Sequence, residues 1–201
     1  MASAWDQRIA RWMIRPIIGT WVTPNHLTTV RLLVGLIAVA GFTTGDYLWS
    51  NLAALGFVIS NLIDHADGEL ARLSGQSSEW GHYYDLVCDA IIHSLLFVFI
   101  GIGLSSKFPQ QNDAFSLGFI VAVSVGLIFW YRMKIENSTG KLSVKQPCWA
   151  GFEVEDVLYL IPLVTLFGGL KLFLVMAAVV SPWVTIYFGW QYFCLEKKED
   201  L

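Results

Sequence analysis

Residues 64–89 decide the fold: Asp64-His65-Ala66-Asp67-Gly68-Glu69-Leu70-Ala71-Arg72, eight residues over 73–80, then Gly81-His82-Tyr83-Tyr84-Asp85-Leu86-Val87-Cys88-Asp89. Asp64 and Asp67 are three apart and Asp85 and Asp89 four apart, so on helices each pair projects from one face. Both pairs border long apolar runs, where four convergent acids call for a cation. Hard carboxylate oxygens favour magnesium or manganese over zinc. Gly68 and Gly81 permit close approach of a ligand or backbone. Arg72, one turn beyond Gly68, is a permanently charged planar group suited to phosphate. Together these residues describe a seat for a metal-bound pyrophosphate.

The spacing D-x2-D-G-x2-A-R-x8-G-x3-D-x3-D resembles the signature of the CDP-alcohol phosphotransferase (phosphatidyltransferase) family, with all its fixed positions met between residues 64 and 89. Its chance occurrence at a given start is about 10⁻¹⁰ at ordinary residue usage. The resemblance implies an enzyme that moves a phosphoryl-alcohol unit from a CDP-alcohol donor, such as CDP-diacylglycerol, to an acceptor hydroxyl, releasing CMP. It further implies that Asp64, Asp67, Asp85 and Asp89 hold one or two Mg2+ or Mn2+ ions. Gly68, Ala71, Arg72 and Gly81 would shape the CDP seat, Asp89 would act as the base, and the protein would be a homodimer. Pro24-Asn25-His26-Leu27-Thr28 is similar to the family segment that opens the first membrane helix near the nucleotide, which adds Asn25 and Thr28 to the substrate-binding candidates. Read locally, Pro24 breaks the preceding element and Asn25 caps the next.

The rest of the chain suits a membrane. Of its 201 residues, 55% are hydrophobic and 14% charged, too apolar for a soluble domain of this size. The net charge of −3 and the lack of a basic stripe exclude nucleic acid as a partner. Cys88, Cys148 and Cys194 are too scattered for a disulfide framework or a zinc site. Apolar runs predict an all-α membrane protein with six transmembrane helices, over 27–45, 47–72, 81–105, 114–133, 154–170 and 171–195. Ahead of them, Arg8, Arg11 and Arg15 interrupt any signal-peptide core. Trp5, Ile9, Trp12, Met13 and Pro16 share the other face, the pattern of an interfacial amphipathic helix among membrane lipids. The predicted organisation is a juxtamembrane helix over 1–22 and a six-helix catalytic domain over 23–201.

All but Lys107 and Lys171 of the 13 Lys and Arg fall on the side of the termini. Both termini and the acid cluster are therefore expected to be cytoplasmic, in the cytoplasmic membrane if the chain is bacterial. Arg132, Lys134, Lys141 and Lys145 gather on that side, where positive-inside topology explains them and Arg132 is a candidate anion contact for the acceptor. His65, His82 and His93 flank the acids, with His93 placed to hydrogen-bond a neighbouring helix or to orient Asp89, and Glu69 reads as a solvated charge. The competing class is a polytopic cation transporter, since intramembrane acids often mark ion pathways. That class requires acids near the bilayer midplane and leaves the glycines and Arg72 without a role.

Overall fold

The computed structural model describes residues 5–107, 113–139 and 154–199; Lys141, Lys145, Cys148 and Glu153 lie outside the described residues, as do the side chains of Trp5, Arg8 and Ile9. Among the described residues the chain is helical, without a strand. The helices are α1 (Trp5–Ile14), α2 (Pro24–Ala40), α3 (Tyr47–Ser74), α4 (Glu79–Lys107), α5 (Asp113–Thr139), α6 (Ile161–Leu166) and α7 (Leu170–Glu199).

Among the described residues, four stretches are long and apolar enough to cross a membrane: Pro24–Thr44, Glu79–Lys107, Asp113–Ser138 and Leu170–Lys197. α3 has the length as well, with 28 residues spanning about 42 Å. Asn51, Asn61 and the charged run from Asp64 dilute its apolar character. The segment expected to cross over 154–170 is divided instead. A 3₁₀ turn over Val154–Leu160 leads into α6, where Pro162 sits in the first turn, and Gly168, at φ 67°, ends the segment.

Helix ends follow local chemistry. Thr23, not Asn25, caps α2 in a reciprocal capping box with His26, and Pro24 takes the first helical position, where its missing N–H costs nothing. Asp46 caps α3 by accepting from the Leu48 and Trp49 amides. The eight residues between the motif halves hold the turn that reverses the chain. Gly75 closes α3 in the left-handed conformation at φ 67°, and Ser78 accepts the Gly81 amide at the start of α4.

α2 packs against both α3 and α4, α4 against α5, and α5 against α7. Their shared core is built from Phe42, Phe57, Ile92, Leu96, Phe97 and Ile100. Without water to drive association, helix contacts inside a membrane depend on close packing. At Gly101 of α4 a Cβ would lie 2.7 Å from the Ala114 carbonyl and 3.3 Å from the Gly118 Cα, so α5 can approach only because no side chain is there.

α1 lies on α3, burying Ala10 and Ile14 against Ala66 and Leu70 of the motif itself. Its docked face is therefore the Ala10/Ile14 edge, where a small side chain admits close contact, while Trp12 points away and is 72% exposed.

Candidate active site

The acids converge because α2 brings α3 and α4 together at the Asp64 and Asp85 ends. Carboxylate oxygens of Asp64, Asp67 and Asp85 lie within 4.8 Å of one another, a spacing that one divalent ion can bridge. Asp64 Oδ1 and Asp85 Oδ1 are buried and accept no hydrogen bond. Both lie against the Arg31 guanidinium and keep lone pairs with which they could also meet a metal ion. Asp89 stands outside this group of three.

At the centre is Arg31 of α2, 1% exposed, which lies inside a run that reads from sequence as an uninterrupted membrane segment. Its Nη1 pairs with Asp64 Oδ1 and, at 2.7 Å, with Asp89 Oδ1. Its Nη2 meets Asp85 Oδ1 at 3.1 Å and donates to the Asp85 carbonyl at 3.0 Å. One guanidinium thus ties the first motif aspartate of α3 to both motif aspartates of α4. Sequence reasoning missed it, although a lone arginine in an apolar run, one turn beyond Thr28, demands an internal partner.

Asp67, 4% exposed, is held from α2 as well: the Thr28 hydroxyl donates to its Oδ2 at 2.7 Å. Thr28 is therefore placed against a motif acid. Asn25, in the first turn of α2, lies against the start of α4, its Oδ1 3.0 Å from where a Gly81 Cβ would be, so the motif glycine admits the N-terminus of α2. Thr29 and the Tyr84 hydroxyl meet at 3.1 Å along the same seam.

Glu69 corrects the sequence reading. Instead of a solvated charge it is a buried carboxylate, 2% exposed, between Arg72 of its own helix at 2.7 Å and Arg11 of α1. Docking of α1 encloses it, and two guanidinium partners make that burial tolerable. Gly68 faces Arg72, whose Nη2 would be 3.9 Å from a Cβ at that position, and Ala71 is half-buried on the same turn.

On the α4–α5 side, His93 Nδ1 bonds its own helix at the Asp89 carbonyl, 2.8 Å away, and lies 3.7 Å from Asp89 Oδ1. Its ring packs against Phe57 and Phe129. Arg132 rests over the Phe129 ring at 5.6 Å, which puts it on the Asp89 side of the cluster. His82 pairs with Glu136 of α5 at 2.8 Å, and His65 stacks on Tyr159; none of the histidines belongs to the three-carboxylate group.

A helical bundle with acids gathered toward one end of α3 and α4, around glycines and an arginine, defines a class of apolar helical protein with a carboxylate group that could hold a metal ion. Residues 21–192 match the CDP-alcohol phosphatidyltransferase family, and the chain belongs to that family. Cholinephosphotransferase 1 of Danio rerio is 36% identical over 118 residues, which cover 54% of this chain and 30% of that protein. This chain therefore spans about a third of the length of that relative. Archaetidylinositol phosphate synthase of Pyrococcus horikoshii is 23% identical over 165 residues, covering 82% of this chain and 79% of the relative. The fold is similar to that of Mycobacterium tuberculosis phosphatidylinositol phosphate synthase (PgsA1) crystallised with CDP-DAG bound, with TM-score 0.71, 18% identity and coverage of 94% and 93% of the two chains. It is similar also to PgsA1 in complex with manganese and citrate, with TM-score 0.64, 18% identity and coverage of 92% and 88%.

Proposed function

We propose that this protein is a divalent-metal-dependent CDP-alcohol phosphotransferase of polar-lipid synthesis. The observation that carries the reading is the approach of Asp64, Asp67 and Asp85 to within 4.8 Å, on the family's own spacing. These three carboxylates would hold Mg2+ or Mn2+, with Asp89 at their edge able to join one or two ions. When bound, the metal supplies charge withdrawal from the phosphoryl group and stabilises the departing CMP.

The chain's own residues do the rest. Arg72 offers its guanidinium to the donor pyrophosphate, and Gly68, Ala71 and Gly81 keep the seat free of bulky side chains. Asn25 and Thr28 border that seat from α2. Asp89, one oxygen of which is engaged by Arg31, takes the proton of the acceptor hydroxyl on the other. The acceptor oxygen then bonds to the phosphorus that carries the alcohol, and the bond from that phosphorus to the CMP oxygen breaks. Arg132, on the Asp89 side, provides positive charge for an anionic acceptor.

The architecture we infer is six membrane crossings over residues 23–201. α3 and the divided segment over 154–170 complete the four strongly apolar ones, and the juxtamembrane helix over 1–22 lies at the headgroup level. Both termini and the acid cluster face the cytoplasm, supported by the Lys and Arg distribution, and the protein is a homodimer. The deciding experiment is CMP release by purified protein with magnesium, CDP-diacylglycerol or soluble CDP-alcohols, and a panel of hydroxyl acceptors. Release of CMP that depends on both donor and acceptor is expected; none with any pair would overturn the assignment.

A further inference from the structure

A guanidinium buried to 1% exposure is costly unless it is paired, and the two Nη atoms of Arg31 meet three acids on two helices, while its Nε is buried without a hydrogen-bond partner. Two of the oxygens it pairs with, Asp64 Oδ1 and Asp85 Oδ1, belong to residues of the three-carboxylate group and have no hydrogen bond. Arg31 also sits on α2, the helix through which α3 and α4 are joined, with its backbone carbonyl held by Ser60 of α3 at 2.9 Å. Like charges on the two acidic helix ends repel at this range, and Arg31 is the positive group placed among them.

We propose that Arg31 is a positioning residue: a resident counter-cation that shares the oxygens of Asp64 and Asp85 with the divalent ion. It keeps α3 and α4 joined when the ion leaves and loosens the ion's hold when it is present. The inference rests on the metal site proposed above. Its fork geometry matters as well as its charge, since a single ammonium cannot address Asp64, Asp85 and Asp89 together. An arginine that served only as core packing would leave metal affinity unmoved.

The test is Mn2+ binding, read by electron paramagnetic resonance, and thermal unfolding in chelator, on purified full-length protein and two variants. Arg31→Met is expected to bind Mn2+ on the order of tenfold more tightly, to unfold at lower temperature in chelator, and to gain more from added Mn2+ than the parent does. Arg31→Lys keeps the charge and should keep an affinity near the parent's, while still unfolding earlier in chelator. Parental Mn2+ affinity in Arg31→Met, equal affinities in the Met and Lys variants, or an unchanged chelator Tm in Arg31→Met would each overturn the proposal. An Arg31→Met protein that folds only with Mn2+ supports it. If that variant fails to fold even with Mn2+, the double variant Arg31→Met/Asp89→Asn removes one charge of each sign; recovered folding supports the proposal and continued failure overturns it. A parent protein that binds no Mn2+ sinks the metal site itself, an outcome separate from the variants' behaviour in chelator.

Discussion

Arg72 donates from Nε to Glu69 Oε2 at 2.7 Å, and the other oxygen of that carboxylate receives Arg11 from α1. The motif arginine is therefore held in place by a buried acid that the N-terminal helix covers. Arg72 loses a charged hydrogen bond in Glu69→Ala, a change worth about 1–3 kcal/mol. The expected outcome is a rise of about tenfold in KM for the CDP-alcohol donor with a smaller effect on kcat. Arg11→Ala should act in the same direction and more weakly, because it leaves the Arg72–Glu69 hydrogen bond in place. Steady-state CMP release against donor concentration checks both, and an unchanged donor KM in Glu69→Ala would disprove the link.

Thr28 and Asp67 make a second such pair, at 2.7 Å and buried. Thr28→Val preserves shape and removes the donor, leaving a buried carboxylate short of one hydrogen bond at a cost of about 1–3 kcal/mol. Lowered thermal stability and weaker Mn2+ binding are expected, with Thr28→Ser restoring both. If the valine variant keeps parental stability and affinity, Thr28 does not position Asp67.

The α4–α5 contact rests on the absence of a side chain at Gly101, where a Cβ would lie 2.7 Å from the Ala114 carbonyl. Backbone cannot yield as a flexible side chain does, so Gly101→Val should destabilise the protein by about 1–3 kcal/mol. The expected readout is a Tm lower by several degrees in detergent. A Tm within error of the parent's would mean that the two helices have room to move apart.

How much of this was legible in the sequence depends on whether a residue's role is local. The acid pairs, Gly81 and the helix boundaries near them are local, fixed by spacings of three and four and by Gly75 and Ser78 in the turn. Arg31 and Glu69 are not: Asp89 lies 58 residues from Arg31 and Arg11 lies 58 residues from Glu69, so a window around Glu69 shows its Arg72 partner but not what buries it, and no window around Arg31 shows its acids. Glu69 is polar by type and buried by the docking of α1, which its own surroundings do not announce. The break over 154–170 was hidden differently. Residues 157–170 carry no charge, and only the early Pro162 and the Gly168-Gly169 turn mark the division of this segment into a 3₁₀ turn and a short helix.

For the metal, Asp64→Asn or Asp85→Asn is expected to abolish CMP release and Mn2+ binding, with chelator doing the same to the parent. Each change removes one of three carboxylates in a group whose oxygens lie within 4.8 Å of one another, and Arg31 still has two acids to hold the helices together. Folded but inactive variants, judged by size exclusion and Tm, are the predicted result. Full activity in chelator with no metal retained would end the metal assignment.

The base is tested by comparing Asp89→Asn with Asp67→Asn. Asp89 lies outside the three-carboxylate group, its Oδ1 paired with Arg31 at 2.7 Å, while Asp67 belongs to that group and is fixed by Thr28. Loss of Asp67 should therefore weaken metal and donor binding together, whereas loss of Asp89 should spare donor affinity and remove turnover. General-base catalysis is typically worth ~10²–10⁴-fold, so a residual rate should remain measurable in Asp89→Asn with metal and positioning intact. Arg31 adds a complication with a definite sign. Asparagine at position 89 leaves one guanidinium charge less well balanced, which opposes a nearby divalent ion, so a modest loss of Mn2+ affinity is expected even if Asp89 never ligates. Donor titration calorimetry at saturating magnesium removes that contribution, because the metal site is then full in both variants. Under those conditions Asp89→Asn should bind the donor about as well as the parent and Asp67→Asn distinctly worse. Equal loss in the two would make Asp89 a ligand first, and the proton of the acceptor hydroxyl would need another carboxylate to receive it.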